Sequence, residues 1–215
     1  MKNETSNKKK TVYETLKKRI INHTLSPGTP IIESVLTKKL GTSKTPIREA
    51  LQQLEKEGFV ENIPGKGAFV SRISFQDIVD VFEIREILEC EVIKRVAERG
   101  LFLASEVNAI KEKFESSGTN DKTLRSYFRG GDQVHSFIFE AFRNRRLLEY
   151  YKGLQEHIER LRLYFFKQVH PERADKSYAE HLEILNSLVA KDPARAEKAM
   201  KDHLQNSIEF QKKTS

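Results

Sequence analysis

The sequence predicts a mainly α chain in which a small unit of three helices and a β-hairpin precedes an all-α helical bundle. Three observations carry this reading. Apolar residues recur at helical spacing through most of the 215 residues. The one stretch with strand character, 59–71, is split by Pro64-Gly65-Lys66-Gly67. The positive charge is uneven: residues 1–70 hold 13 Lys and Arg against 7 Asp and Glu, and the remainder holds 25 against 24.

Residues 1–10 are polar, with Lys8, Lys9 and Lys10 in a row, and read as a disordered basic arm. From Thr11 the spacing of Val12, Leu16 and Ile20 gives a first helix, broken by Ser26-Pro27-Gly28-Thr29-Pro30. A second helix fits 32–40, with Gly41 as its stop. A third follows Ser43. Ser43 or Thr45 can cap it, Pro46 suits its first turn, Ile47, Leu51 and Leu54 form its apolar stripe, and Gly58 ends it. Two short strands, 59–63 and 68–71, then flank the glycine-rich turn. From Ser74 onward only helices are expected: 75–99, 105–115, 122–143, 145–168 (ended by His170-Pro171), 174–190 and 193–211. The expected organisation is the arm at 1–10, a head at 11–72 and a bundle at 73–215.

Composition narrows the function classes. No apolar run approaches 18 residues, so no membrane span is expected. The first ten residues lack the apolar stretch of a secretory signal, and the cytoplasm is the expected compartment. The single cysteine, Cys90, excludes an internal disulfide framework and a Cys-based zinc finger. A basic head on a near-neutral body points to a polyanion bound at one end.

Three helices and a hairpin, with Gly41-Thr42-Ser43 between the second and third, describe a winged helix-turn-helix. In that arrangement the third helix enters the major groove and its first turn faces the bases. Here that turn carries Ser43, Lys44, Thr45 and Arg48. Lys44 can donate to guanine, and Arg48 can reach a base or a phosphate. Gly65-Lys66-Gly67 puts one cation on a thin backbone suited to the minor groove. Leu25-Ser26-Pro27-Gly28, Glu33, Leu36, the run from Gly41 to Val60 and the wing from Pro64 to Val70 resemble the DNA-binding domain of GntR-type bacterial transcriptional regulators. The resemblance implies DNA contacts from Ser43, Lys44, Thr45 and Arg48 and from the wing at Gly65 and Lys66. Position 44 departs from it: lysine, a point charge, stands where the family usually has the forked arginine.

In the bundle, Arg85 and Glu89 fall on the stripe of Ile78, Val81, Phe82, Val92 and Val96. They read either as an i,i+4 ion pair or as an arginine facing a ligand. His135, His181 and His203 each keep apolar company at helical spacing. Singly, each is an ordinary core residue. Together, three imidazoles from three helices could converge on one cation, with Asp132 adding an oxygen. His23, His157 and His170 fit this pattern less well. Arg85-x-x-Leu88-Glu89, Asp132-x-x-His135, Asn144, Glu180-His181-x-x-Ile184-Leu185 and Ala196-x-x-Ala199-Met200-x-x-His203-Leu204 resemble the FCD ligand-binding domain of the FadR subfamily, closest to its shorter, VanR-like group. That resemblance implies an antiparallel bundle around a buried cavity. An Asp and three His would hold a divalent metal, zinc or nickel by ligand type, and a small carboxylate would bind beside it. The family's Asp-x-x-x-His spacing falls on Gly131 here, and the acid stands at Asp132, about 100° further round the helix.

The expected function is a ligand-responsive DNA-binding transcriptional regulator. It would act as a homodimer on an inverted-repeat operator in double-stranded DNA, with a small organic acid effector held by Arg85 and the metal. A metallohydrolase is the rival, because three His with an open position also suit catalytic zinc. No general base accompanies them and the basic head would go unexplained, so catalysis is not expected. An architectural DNA binder with a purely structural bundle is the third reading.

Overall fold

Three helices and a three-stranded sheet build the N-terminal unit: α1 (Lys2–Ile21), β1 (Pro30–Ile31), α2 (Glu33–Leu40), α3 (Lys44–Lys56), β2 (Val60–Ile63) and β3 (Gly67–Val70). The computed structural model describes residues 2–117, 124–165 and 171–214. The first residues of the helix expected at 122–143, the last of the helix expected at 145–168, and the break at His170 lie outside them. Residues 1–10 were expected as a disordered arm, and here the structure corrects the sequence. α1 runs unbroken from Lys2. The first proline and glycine of the chain are Pro27 and Gly28. Extending a nucleated helix costs far less than starting one, so a polar lead without a breaker joins it.

Gly41 ends α2 in the left-handed region, φ 59° and ψ 37°, and its N–H reaches the Thr37 carbonyl. That conformation favours glycine and sets the tight turn into α3. Ser43 occupies the N-cap position of α3 with extended backbone, but its hydroxyl makes no capping bond. β3 is central in the antiparallel sheet, ordered β1-β3-β2. The two-residue β1 was not expected, because Pro30 sits in it and so short a strand has no alternation to read. The core beneath is Leu16, Ile20, Ile47, Ala50, Leu54, Phe59 and Val70. Lys17 lies inside it as well. Its Nζ is 2.9 Å from Glu57 and 2.6 Å from the Tyr13 hydroxyl, above the Tyr13 and Phe59 rings. This fastens α1 to the end of α3 through a cation that burial would otherwise penalise.

The bundle consists of α4 (Phe75–Arg99), α5 (Ala104–Ser117), α6 (Leu124–Phe142), α7 (Arg145–Phe165), α8 (Pro171–Val189) and α9 (Pro193–Thr214). α4 packs on α6 and α9, α8 on α6 and α9, and α5 on α6 and α8. Ile78, Phe82, Arg85, Glu89, Val92 and Val96 form the inward stripe of α4. Two charged residues are thus sealed in a helix-spaced apolar row. By contact, the first unit comprises Met1–Ser74 with Glu159–Tyr164, and the second Phe75–Ile158 with Phe165–Ser215. Within the first, Arg160 donates to the Ser71 carbonyl, and His23 Nε2 lies 2.9 Å from the Arg160 carbonyl. No described helix is long and apolar enough to cross a membrane.

Leu54 is inaccessible to solvent at the centre of the first unit. Leu54→Ala should destabilise that unit by about 2–5 kcal/mol in denaturant titration. An unshifted midpoint would mean that this core does not hold the head together.

Candidate metal centre and nucleic-acid face

Three helices deliver one imidazole each to a common point. His135 comes from α6, His181 from α8 and His203 from α9, and all three are buried. One nitrogen of each lies within 4.8 Å of the others. His135 Nε2 is 3.2 Å from His181 Nε2 and 3.3 Å from His203 Nε2. Nitrogens about 2.0–2.1 Å from one tetrahedral zinc would stand about 3.3–3.4 Å apart, so the observed spacing fits such an ion.

The outer nitrogens explain why the inner ones converge. His135 Nδ1 faces Glu89 Oε2 at 2.6 Å, His203 Nδ1 faces Glu180 Oε2 at 2.8 Å, and His181 Nδ1 faces the Ser177 carbonyl at 2.6 Å. Each of these partners is an acceptor. An acceptor beside Nδ1 favours the neutral tautomer with the proton there, which turns the Nε2 lone pairs inward. This is the outer shell typical of metal-binding histidines. Glu180 is held in turn by Arg173, at 3.0 Å from both Nη atoms, and by Asn206 at 2.9 Å.

Arg85 and Glu89 are both fully buried, with Arg85 Nε donating to Glu89 Oε1 at 2.7 Å. The two readings of this pair merge, because the ion pair borders the histidines. Arg85 Nη2 lies 3.3 Å from His135 Nε2, and Arg85 Nη1 is buried with no hydrogen-bond partner among the described residues. Tyr151, stacked on Phe139, donates to Glu89 at 3.2 Å. Burial alone would raise the Glu89 pKa, but Arg85 and then His135 hold it well below the ordinary carboxylate range. Cys90, on the same helix, is a buried thiol pushed up to about 12.

Asp132 is half-buried and stands outside the three-histidine group. Position 131, one full turn before His135, is the one that meets the cluster. A Cβ on Gly131 would come within 2.8 Å of His181 Cε1 and Nε2. Sequence reasoning found the three imidazoles and Arg85, but it missed Glu180 and Arg173 as the support of His203. Adjacent helix residues point about 100° apart, so Glu180 faces away from His181 beside it, and its partner His203 lies on another helix.

In the head, Ser43, Lys44, Thr45, Arg48, Gly65 and Lys66 are all exposed. Arg48 Nε donates to both Glu33 oxygens at 3.0 and 2.9 Å, which steers a long side chain from the first turns of α3. The wing turn closes through the Lys66 N–H to the Ile63 carbonyl at 2.9 Å, with Gly65 and Gly67 at φ 75° and 92°. Both glycines occupy the region that L side chains avoid.

Residues 80–206 match the FCD domain, and residues 8–70 match the bacterial regulatory proteins of the gntR family. The chain is 30% identical over 207 residues to the HTH-type transcriptional regulator YdhC of Bacillus subtilis (strain 168), covering 93% of this chain and 89% of that one. It is 26% identical over 200 residues to the HTH-type transcriptional repressor RspR of Escherichia coli (strain K12), covering 92% and 86%. Among solved structures, E. coli McbR/YncC shares the fold with a TM-score of 0.74 at 20% identity, covering 96% and 97%.

Burial holds the His203 pKa well below the ordinary imidazole value, helped by His135, Arg85 and Arg173 and opposed by Glu89. A depressed imidazole stabilises the fold above its unfolded pKa of about 6.5, and that stability is lost as pH falls below it. Metal-free protein should therefore lose stability as pH falls through and below about 6.5, with a limiting slope of about 1.4 kcal/mol per pH unit for this one proton. His203→Gln should flatten the slope of the thermal midpoint against pH, and an equal slope in both proteins would contradict the assignment.

Proposed function

The chain belongs to the gntR family of bacterial regulatory proteins, in the branch that carries an FCD domain, and from that membership we propose a repressor whose operator affinity is set by a small carboxylate bound at the histidine cluster. It is a DNA-binding transcriptional regulator. The comparisons place it with regulators rather than enzymes, which removes the metallohydrolase reading. Repression follows the named relative RspR, and a cytoplasmic location follows from a DNA target.

The observation that carries the effector proposal is His135 Nε2 at 3.2 and 3.3 Å from the Nε2 atoms of His181 and His203, beside a buried arginine nitrogen without a hydrogen-bond partner among the described residues. His135, His181 and His203 would hold a divalent metal, zinc or nickel by ligand type. When bound, that ion supplies a Lewis-acidic position for one carboxylate oxygen. Arg85 Nη1 donates to the other oxygen, and Glu89 and Tyr151 keep the guanidinium in place. Asp132 acts on Arg85 by charge rather than as a ligand. An all-imidazole set leaves the ion's two positive charges uncompensated, so an anionic ligand and the metal favour each other. Purely structural imidazoles, as the architectural reading requires, would have no use for an unpaired arginine nitrogen among them.

The head meets DNA through Ser43, Lys44, Thr45 and Arg48 on α3 and through Gly65 and Lys66 in the wing. Ser43 keeps its hydroxyl free of capping, and the α3 N-terminus carries no acid in its first turn. Both features suit a phosphate or base edge. One such head spans few base pairs, so a two-fold homodimer on an inverted repeat supplies the rest of the site.

Arg48→Ala should cost about 1–3 kcal/mol of operator affinity, because it removes a donor and leaves Glu33 unneutralised near the duplex. Lys66→Ala should weaken binding to all sequences and reduce the salt slope by about one. Unchanged operator affinity in both variants at fixed salt would refute this DNA face.

For the bundle, thermal-shift measurements on metal-stripped protein should show zinc and a small carboxylate each raising the midpoint, and together by more than the sum. The same carboxylate with zinc should change operator affinity. His181→Ala should abolish the zinc response. A zinc response that survives His181→Ala, or additive shifts, would overturn the proposal.

A further inference from the structure

Gly131 is buried in the interior of α6, where glycine is among the poorest helix formers. Such a glycine needs a packing reason. A Cβ built there would stand 2.8 Å from His181 Cε1 and 2.8 Å from His181 Nε2, closer than real Cβ atoms come to any neighbour. The threatened atoms are the ones that face the cluster. The ring is held by contacts away from position 131 as well. Its Nδ1 is tied to the Ser177 carbonyl at 2.6 Å, its centroid lies 4.3 Å from that of His203, and its edge meets His135. Relieving the overlap moves the His181 ring, and Nε2 with it, away from position 131.

We propose that Gly131 is the specificity-determining residue of this site: its missing side chain is the seat of the His181 ring, so a side chain at 131 and a ligating His181 exclude each other. An acid one turn before His135 cannot join the three imidazoles in this chain. The protein donors are nitrogen only, and the negative charge that balances a divalent ion must come from outside, as a small anion on the Arg85 side. The glycine thereby links metal uptake to the class of effector. This inference rests on the metal reading above for its consequence, but its steric premise stands apart from it.

The test uses full-length protein with Gly131→Ala and Gly131→Asp, each with and without His181→Ala. On metal-stripped samples, helix propensity alone makes Gly131→Ala raise the thermal midpoint. We expect it to lower the midpoint when His181 is present and to raise it when His181 is alanine, a reversal that a double-mutant cycle isolates. The same rise in both backgrounds would overturn the proposal. In zinc calorimetry, Gly131→Ala and Gly131→Asp should both bind at least tenfold more weakly than the wild type. Wild-type affinity in Gly131→Ala, or tighter binding in Gly131→Asp, would also overturn it. If the wild type itself takes up no zinc, the metal reading falls, and the midpoint cycle still decides whether Gly131 seats His181.

Discussion

Three imidazoles are each fastened by the outer ring nitrogen to an acceptor, and the rest of the bundle is arranged around what this leaves behind. A proton shared with Glu89, Glu180 or the Ser177 carbonyl cannot also sit on the inner nitrogen. The inner face is then a group of lone pairs within a few ångströms of one another, in a region that excludes water. Alone, such a group is repulsive and poorly solvated. It becomes favourable beside a cation, and here Arg85 is the cation that the chain itself provides, with Nη2 against His135.

That arginine sets the second constraint. A guanidinium at 1% side-chain exposure has a large desolvation cost, which Glu89 offsets from the next helical turn. Glu89 is in turn shared with His135 and Tyr151, so the carboxylate, the arginine and the imidazole form one electrostatic unit spanning α4, α6 and α7. Arg173 and Glu180 repeat the device on α8 behind His203 of α9. Each acid balances an arginine and orients a ring. The site therefore carries little surplus negative charge of its own, and an incoming anion meets Arg85 Nη1 rather than a field of carboxylates.

The head was legible because its signals are contiguous. Gly41 before Ser43, Pro46 in a first turn and the Pro64–Gly67 turn each fix backbone geometry within a few residues. The short strand at Pro30 and the extension of α1 to Lys2 were not legible. One depends on pairing with β3, distant in sequence, and the other on a helix nucleated downstream. In the bundle, helical spacing sufficed to turn His135, His181 and His203 inward, but not to show what stands behind them. The Glu180–His203 contact joins α8 to α9, and no local pattern encodes it. Asp132 shows the opposite failure: an acid close in sequence to a ligand lies on the wrong arc of the helix, and the residue that matters there, Gly131, acts by having no side chain.

Metal binding at this site turns on the tautomer of the three rings. Selective ¹⁵N labelling of histidine in metal-stripped protein near pH 7, with ring nitrogens assigned through His135→Gln, His181→Gln and His203→Gln, reads it directly. All three rings should be neutral, with the proton on Nδ1 and a bare Nε2, and zinc should shift the three Nε2 signals together. A proton on Nε2 of any of the three, or zinc that leaves these signals in place, would contradict this.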